Sequence, residues 1–220
     1  MKRRSLVQLA AGLLATSLFG APLAMAQSAD EAPDVMIKRL SDDVLAAIRS
    51  DASVKSGDIS RVMTLVDTKI MPNVNFQRMT SSAVGPAWRQ ATPDQRQKLQ
   101  QEFKTLLVRT YSGALAQVSD EQVSMKPLRA APGDTDVVVR SEIRGRGEPI
   151  QLEYRLEKTP QGWKIYNLNV LGVWLVETYR SQFAQEINAK GVDGLIASLS
   201  ERNRANNRKG LCPCWSCPRN

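Results

Sequence analysis

The 220-residue chain contains no histidine. Its absence removes the side chain most used for general acid–base work and the commonest neutral metal ligand. Cysteine is nearly as scarce: Cys212, Cys214 and Cys217 crowd the last nine residues, so the body holds no thiol nucleophile. Three thiols without a fourth ligand make a poor structural zinc site. In an oxidising compartment one disulfide and a spare thiol are expected, in an appendage with no part in the fold. No Gly-x-Ser-x-Gly elbow occurs. Asp42 and Asp43 are adjacent on a helical stretch, so they point in different directions and form no catalytic dyad. The catalytic option left is an Asp or Glu working with Tyr154 or Tyr166, as small enzymes of cone-shaped folds do. The strand carboxylates Glu153 and Glu157, however, fall on a polar face. The reading is a protein that is not an enzyme and needs no cofactor.

Charge is scarcer than the total suggests. The formal net charge is +8. Lys2, Arg3 and Arg4 supply three of those charges, and Glu201 to Asn220 a net four more. The body from Gln27 to Ser200 is thus nearly neutral, whereas a nucleic-acid binder spreads Lys and Arg over a folded face. No nucleic-acid partner is expected. The basic tail from Arg202 to Lys209 leaves open a salt-sensitive contact with anionic surfaces.

No apolar run reaches the roughly 20 residues a membrane span needs. The N-terminus instead reads as an export signal. Met1-Lys2-Arg3-Arg4 is a basic start, Leu6 to Phe19 a short apolar stretch broken by Gly20 and Pro22, and Ala24-Met25-Ala26 a cleavage site. Residues 1–26 are expected to be removed, 27–200 to form one domain, and 201–220 to be a basic, Cys-rich tail. Arg3-Arg4 leaves the export route open between the general and twin-arginine pathways.

The remainder is patterned. Ile37, Leu40, Val44, Leu45 and Ile48 mark one helix face; Ile59, Val62, Met63, Val66 and Ile70 mark a second, stopped by Pro72. Phe76, Met79 and Val84 suggest a short third, closed by Gly85-Pro86. Thr92-Pro93 with Gln95 is a capping box that opens a long helix to about Gln117, with Leu99, Phe103, Leu106 and Leu107 on its apolar face. The period then changes to two, predicting four antiparallel strands: Gln122 to Leu128, Val137 to Arg144, Ile150 to Glu157 and Trp163 to Val170. Thr159-Pro160-Gln161-Gly162 is the hairpin turn between the last two. In the last strand the alternation breaks at Tyr166, which predicts either a bulge or cover on both faces. Val176, Tyr179, Phe183 and Ile187 then mark a helix closed at Gly191, followed by another around Leu195 and Leu199. The fold class is α+β: a curved four-stranded antiparallel sheet against helices, with extra N- and C-terminal helices around an apolar cavity.

Tyr154 to Phe183 holds three tyrosines, two tryptophans and a phenylalanine among Val, Leu and Ile. Such a stretch suits enclosing something apolar better than activating a bond. Together with MPNVNFQRM (Met71 to Met79), WRQATPDQRQKLQQEFKTLLVRTYSGAL (Trp88 to Leu115) and NAKGVDGLIASL (Asn188 to Leu199), it resembles the MlaC family of periplasmic phospholipid-binding proteins, also called toluene-tolerance proteins. The likeness covers about Asp34 to Leu199.

The resemblance implies a soluble shuttle that carries phospholipid between the outer and inner membranes and maintains outer-membrane lipid asymmetry. Its implied partners are an inner-membrane ABC transporter with a lipid-binding ring subunit and an outer-membrane lipoprotein–porin complex. The implied fold is similar to nuclear-transport-factor-2-like cones with added helices. Two positions depart from the family pattern: Trp174 stands where a Ser is common, and Asn167 where an acidic residue is common. The expected cavity wall comprises Phe76, Trp88, Phe103, Leu106 and Tyr111 from the helices. The sheet adds Val139, Tyr154, Tyr166, Leu168 and Val170, and the corner and last helix add Trp174, Tyr179 and Phe183. A fatty acid or a quinone as cargo stays open.

Overall fold

The computed structural model describes residues 31–115, 118, 120–145 and 147–210. The expected export signal, the end of the long helix at Gln117 and the cysteine cluster lie outside these residues. Helix α1 (Pro33–Ser50) starts on a proline, whose missing N–H would have no helical partner there anyway. Two short helices follow, α2 (Ala52–Lys55) and α3 (Ile59–Leu65). Asp51 and Asp58 accept backbone N–H bonds at their starts. The second helix predicted from periodicity is helical to Ile70 as expected, but it is α-helical only to Leu65. It passes through a π-turn at Val66–Ile70 into a 3-10 turn at Met71–Asn73, where Pro72 ends it. Asn75 caps α4 (Phe76–Val84), and one turn, α5 (Ala87–Gln90), leads to α6 (Pro93–Leu115). The capping box is present in both directions: Thr92 N–H donates to Gln95 Oε1 at 2.9 Å and Gln95 N–H to Thr92 Oγ1 at 3.2 Å.

The sheet is β1 (Gln122–Met125), β2 (Asp136–Arg144), β3 (Ile150–Thr159), β4 (Gly162–Val170) and β5 (Val173–Trp174), all antiparallel and in sequence order. It has five strands, not the four expected, because a two-residue strand is too short to show an alternation. β1 is shorter than predicted. One further bond, Lys126 N–H to Arg140 O at 2.9 Å, precedes Pro127, which has no N–H to continue the ladder.

The broken alternation in β4 is a bulge. Arg155 pairs with Asn167 but Leu156 pairs with Ile165, so Tyr166 is the extra residue. The bulge returns Leu168 and Val170 to the face that carries Trp163 and Ile165. Leu175–Gly210 is one hydrogen-bonded run, α7, broken at Gly191 (φ 71°) into two helices that fold over each other.

Three apolar clusters result. The first joins α4, α6 and both halves of α7, and the second packs α1 on the inner face of the sheet. The third fills the space among α1, α2, α3 and α6. Val74 and Leu168 touch both the first and the second cluster. Val74 is held by a parallel bridge to Ile165, beside an Asn75 N–H to Ile165 O bond of 2.8 Å.

Candidate functional site

Phe103, in the middle of α6, is fully buried and is the centre of the helical cluster. Tyr179 and Phe183, one turn apart on α7, both meet its ring edge-on, at centroid distances of 5.0 and 5.2 Å. Phe76 from α4 lies 5.8 Å away on another side. Leu106 is buried with them, and Trp88 packs against the cluster with Arg96 over its ring. On the sheet side Val139 and Tyr154 are cross-strand partners in the second cluster, and Leu168 faces Tyr154 across β3 and β4. Nine predicted side chains, Phe76, Trp88, Phe103, Leu106, Val139, Tyr154, Leu168, Tyr179 and Phe183, therefore form one apolar interior shared by a helical and a sheet layer. Val170 is half-buried at the end of β4, opposite Leu152 and Val173.

The polar groups beside Tyr154 and Tyr179 include the hydroxyls of Ser141, Ser41 and Thr110. Ser141 Oγ donates to Tyr154 Oη at 3.4 Å, and the Ser41 hydroxyl of α1 lies beside them. Burial pushes the Tyr154 phenol above its ordinary value, with the two serines pulling the other way. Tyr179 is likewise raised by burial, against the Thr110 hydroxyl and the charge of Arg202. Both remain protonated donors at neutral pH. Rings, aliphatic groups and neutral hydroxyls supply burial and dispersion, not proton transfer.

Three predicted residues are placed elsewhere. The bulge turns Tyr166 to the outer face, where Arg78 stacks on its ring at 3.5 Å and its hydroxyl donates to Asp136 at 2.8 Å. Trp174 pairs with Asn169 on that same outer face, with the Arg155 guanidinium 4.0 Å above its ring. Tyr111, 36% exposed on α6, lies at the rim of the helical cluster, where burial and the neighbouring Tyr179 raise its phenol above the ordinary value. The outer face is otherwise a lattice of ion pairs: Arg140–Glu153 at 2.6 Å, Arg78–Glu157 at 2.5 Å, Arg155–Glu177 at 2.7 Å, and Glu142 held between Arg144 and Lys126.

Sequence reasoning missed Val74, which joins the two layers, and the contributions of Leu195 and Leu199. The i, i+4 spacing of the leucines was available. The role of Val74 was not, because nothing local says that an extended pair of residues joins a sheet.

Open concavities of about 620 and 540 Å³ lie over Lys126–Arg140 and beside Asp34–Asp43, and none of the thirteen predicted residues lines them. Among the described residues no His, Cys, Asp and Glu cluster is arranged to hold a metal. No described helix is long and apolar enough to cross a membrane.

Comparison with known proteins points one way. The family described as MlaC protein matches residues 38–201. The chain is 23% identical over 177 residues to the intermembrane phospholipid transport system binding protein MlaC of Haemophilus influenzae, covering 79% of this chain and 83% of that one. It is 28% identical over 123 residues to the toluene tolerance protein ttg2D of Pseudomonas putida, covering 53% of this chain and 57% of the relative. Among solved structures, the phospholipid-binding protein of Ralstonia solanacearum, in complex with a phospholipid, superposes with a TM-score of 0.77 at 50% identity. The match covers 79% of this chain and 98% of that one.

Proposed function

Because the chain belongs to the MlaC family, we propose that it is a soluble periplasmic carrier that holds a glycerophospholipid by its acyl chains and shuttles it between the outer and inner membranes, so maintaining outer-membrane asymmetry. The observation that carries this reading is the pairing of a 50% identical, phospholipid-bound relative with an apolar interior shared by two layers. The Val74–Leu168 seam between those layers is where the acyl chains would lie, with Phe103, Tyr179 and Phe183 on one side and Val139 and Tyr154 on the other.

The physics suits transport. Each methylene kept from water is worth ~0.8 kcal/mol, so two chains of ~30 methylenes represent on the order of 25 kcal/mol, and a free lipid crosses water very slowly. A carrier must match the burial a bilayer provides without exceeding it, or it never unloads. An interior of dispersion contacts and a few neutral hydroxyls meets that condition and leaves the headgroup in solvent. Selectivity then rests on the chains. The two exchange partners are an inner-membrane ABC transporter bearing a lipid-binding ring and an outer-membrane lipoprotein–porin complex. No catalytic step belongs to this reading.

The test is native mass spectrometry of protein purified without detergent, with identification of whatever extracts into organic solvent. One diacyl phospholipid per chain with mixed headgroups is expected. An empty protein, or a fatty acid or quinone in its place, overturns it.

A further inference from the structure

Leu171 is the residue least suited to its position. β4 and β5 are joined by the two-residue turn Leu171–Gly172 between the paired Val170 and Val173. Both turn residues have positive φ, 52° and 87°. A two-residue hairpin of that kind favours Asn or Gly at its first position, because a Cβ crowds the backbone in the left-handed region. Among the described residues Leu171 is the one non-glycine with positive φ, and at 64% it is also the most exposed large apolar side chain. Asparagine would serve both the backbone and the solvent better. The turn is nonetheless well held: Leu171 N–H donates to Gln151 O at 3.1 Å and Gly172 N–H to Asn169 Oδ1 at 2.8 Å. The exposure is imposed by a fixed backbone.

Leu171 is not isolated. Val173 is 49% exposed, and Ile150, next to Gln151, is 38% exposed. From Val170 to Val176 the chain has no charged residue. The charges nearest in sequence are Arg146 and Glu148 before Ile150, Glu153 after it, which is paired with Arg140, and Glu177, which is bonded to Arg155. Half-buried Leu152 and Val170 are cross-strand partners on the inner face, next to Tyr154 and Leu168. Apolar surface therefore runs without a break from the solvent-exposed tip to the interior. Trp174, an amphipathic ring suited to a membrane–water interface, stands beside the tip under Arg155.

We propose that this turn docks on a lipid bilayer, with Leu171 and Val173 entering its surface and the apolar strip through Val170 and Leu168 forming the route between bilayer and interior. Three side chains are too few to cover the roughly 800 Å² per partner that a stable protein–protein contact buries, but they suffice for a weak, reversible lipid contact. The route rests on the carrier reading; the docking does not.

The experiment uses the chain from Gln27, which keeps every described element and omits the apolar leader. Parent and Leu171→Asn are floated with vesicles of phosphatidylcholine, alone and mixed with phosphatidylglycerol. The asparagine variant is expected to melt at a higher temperature and yet to bind both vesicles roughly tenfold more weakly. Val173→Ser is expected to weaken binding in the same direction, and cargo found by mass spectrometry stays as in the parent. A parent that binds neither vesicle, or a Leu171→Asn variant that binds as well as the parent, overturns the proposal. So does a parent that sediments as a dimer which Leu171→Asn dissociates, since the tip would then cover a second copy of the chain. Vesicle binding by a protein that carries no phospholipid would sink the carrier reading and leave the docking intact.

Discussion

Glu142 shows how the outer face of the sheet contributes to stability. Arg144 first, and then Lys126, hold its carboxyl far below the ordinary 4.5, at about 2. A carboxylate whose folded value is depressed adds stability that is fully present above its unfolded value and disappears as the pH falls through the folded one. The contribution is therefore lost between about pH 4.5 and 2. Glu142→Gln should lie below the parent in urea midpoint at neutral pH and fall less steeply under acid. Parallel curves would mean that the two cations do not act on Glu142.

Asn167 is the second residue that decides something. Its side-chain NH₂ donates to Glu177 Oε2 at 2.8 Å, and its oxygen accepts from the N–H groups of Leu168 and Val176, so it ties β4 to the first turn of α7. Asn167→Asp removes that donor and sets two carboxylates together at a site 2% exposed. A loss of about 1–3 kcal/mol is expected. Adding Glu177→Gln should return most of it, and a double-mutant cycle of chemical denaturations would read the coupling. Two independent effects would show that the contact does not hold the corner. Glu177 supplies the carboxylate at this corner.

At the scale of elements, α6 is the axis of the helical layer, since it places Leu99, Phe103 and Leu106 against α4 and α7. Its start is set by the reciprocal Thr92–Gln95 pair. Thr92→Ala should cost about 1 kcal/mol in thermal or chemical denaturation while leaving the far end of the helix intact. Hydrogen exchange that rises along the whole helix would contradict a local cap. This cap was legible because its chemistry lies within four residues. The bulge in β4 was legible as a break in alternation, but not its outcome. The side on which Tyr166 emerges depends on how β3 pairs with it, and that pairing spans strands rather than neighbours.

For the whole molecule, the seam between the layers is where the proposed cargo and the packing of the fold would meet. Leu168 touches both clusters, so Leu168→Trp should fill the space the acyl chains would use. The variant is expected to lose about 1–3 kcal/mol from overpacking, yet remain folded. Its phospholipid content by native mass spectrometry should drop well below the parent's. Unchanged content would put the chains elsewhere in the protein.

The sequence by itself determined the α+β class, the order of the main elements, the capped start of α6 and the apolar faces that carry Phe76, Phe103, Tyr179 and Phe183. Helical and strand periodicity and capping act over a few residues, and a buried face must be apolar wherever it ends up. The tertiary structure alone decided that Tyr166 and Trp174 face outward under Arg78 and Arg155, that Val74 joins the layers and that Leu171 projects from a left-handed turn. A bulge, a parallel bridge and a two-residue strand each take their geometry from a partner strand far along the chain, and no local pattern carries that information.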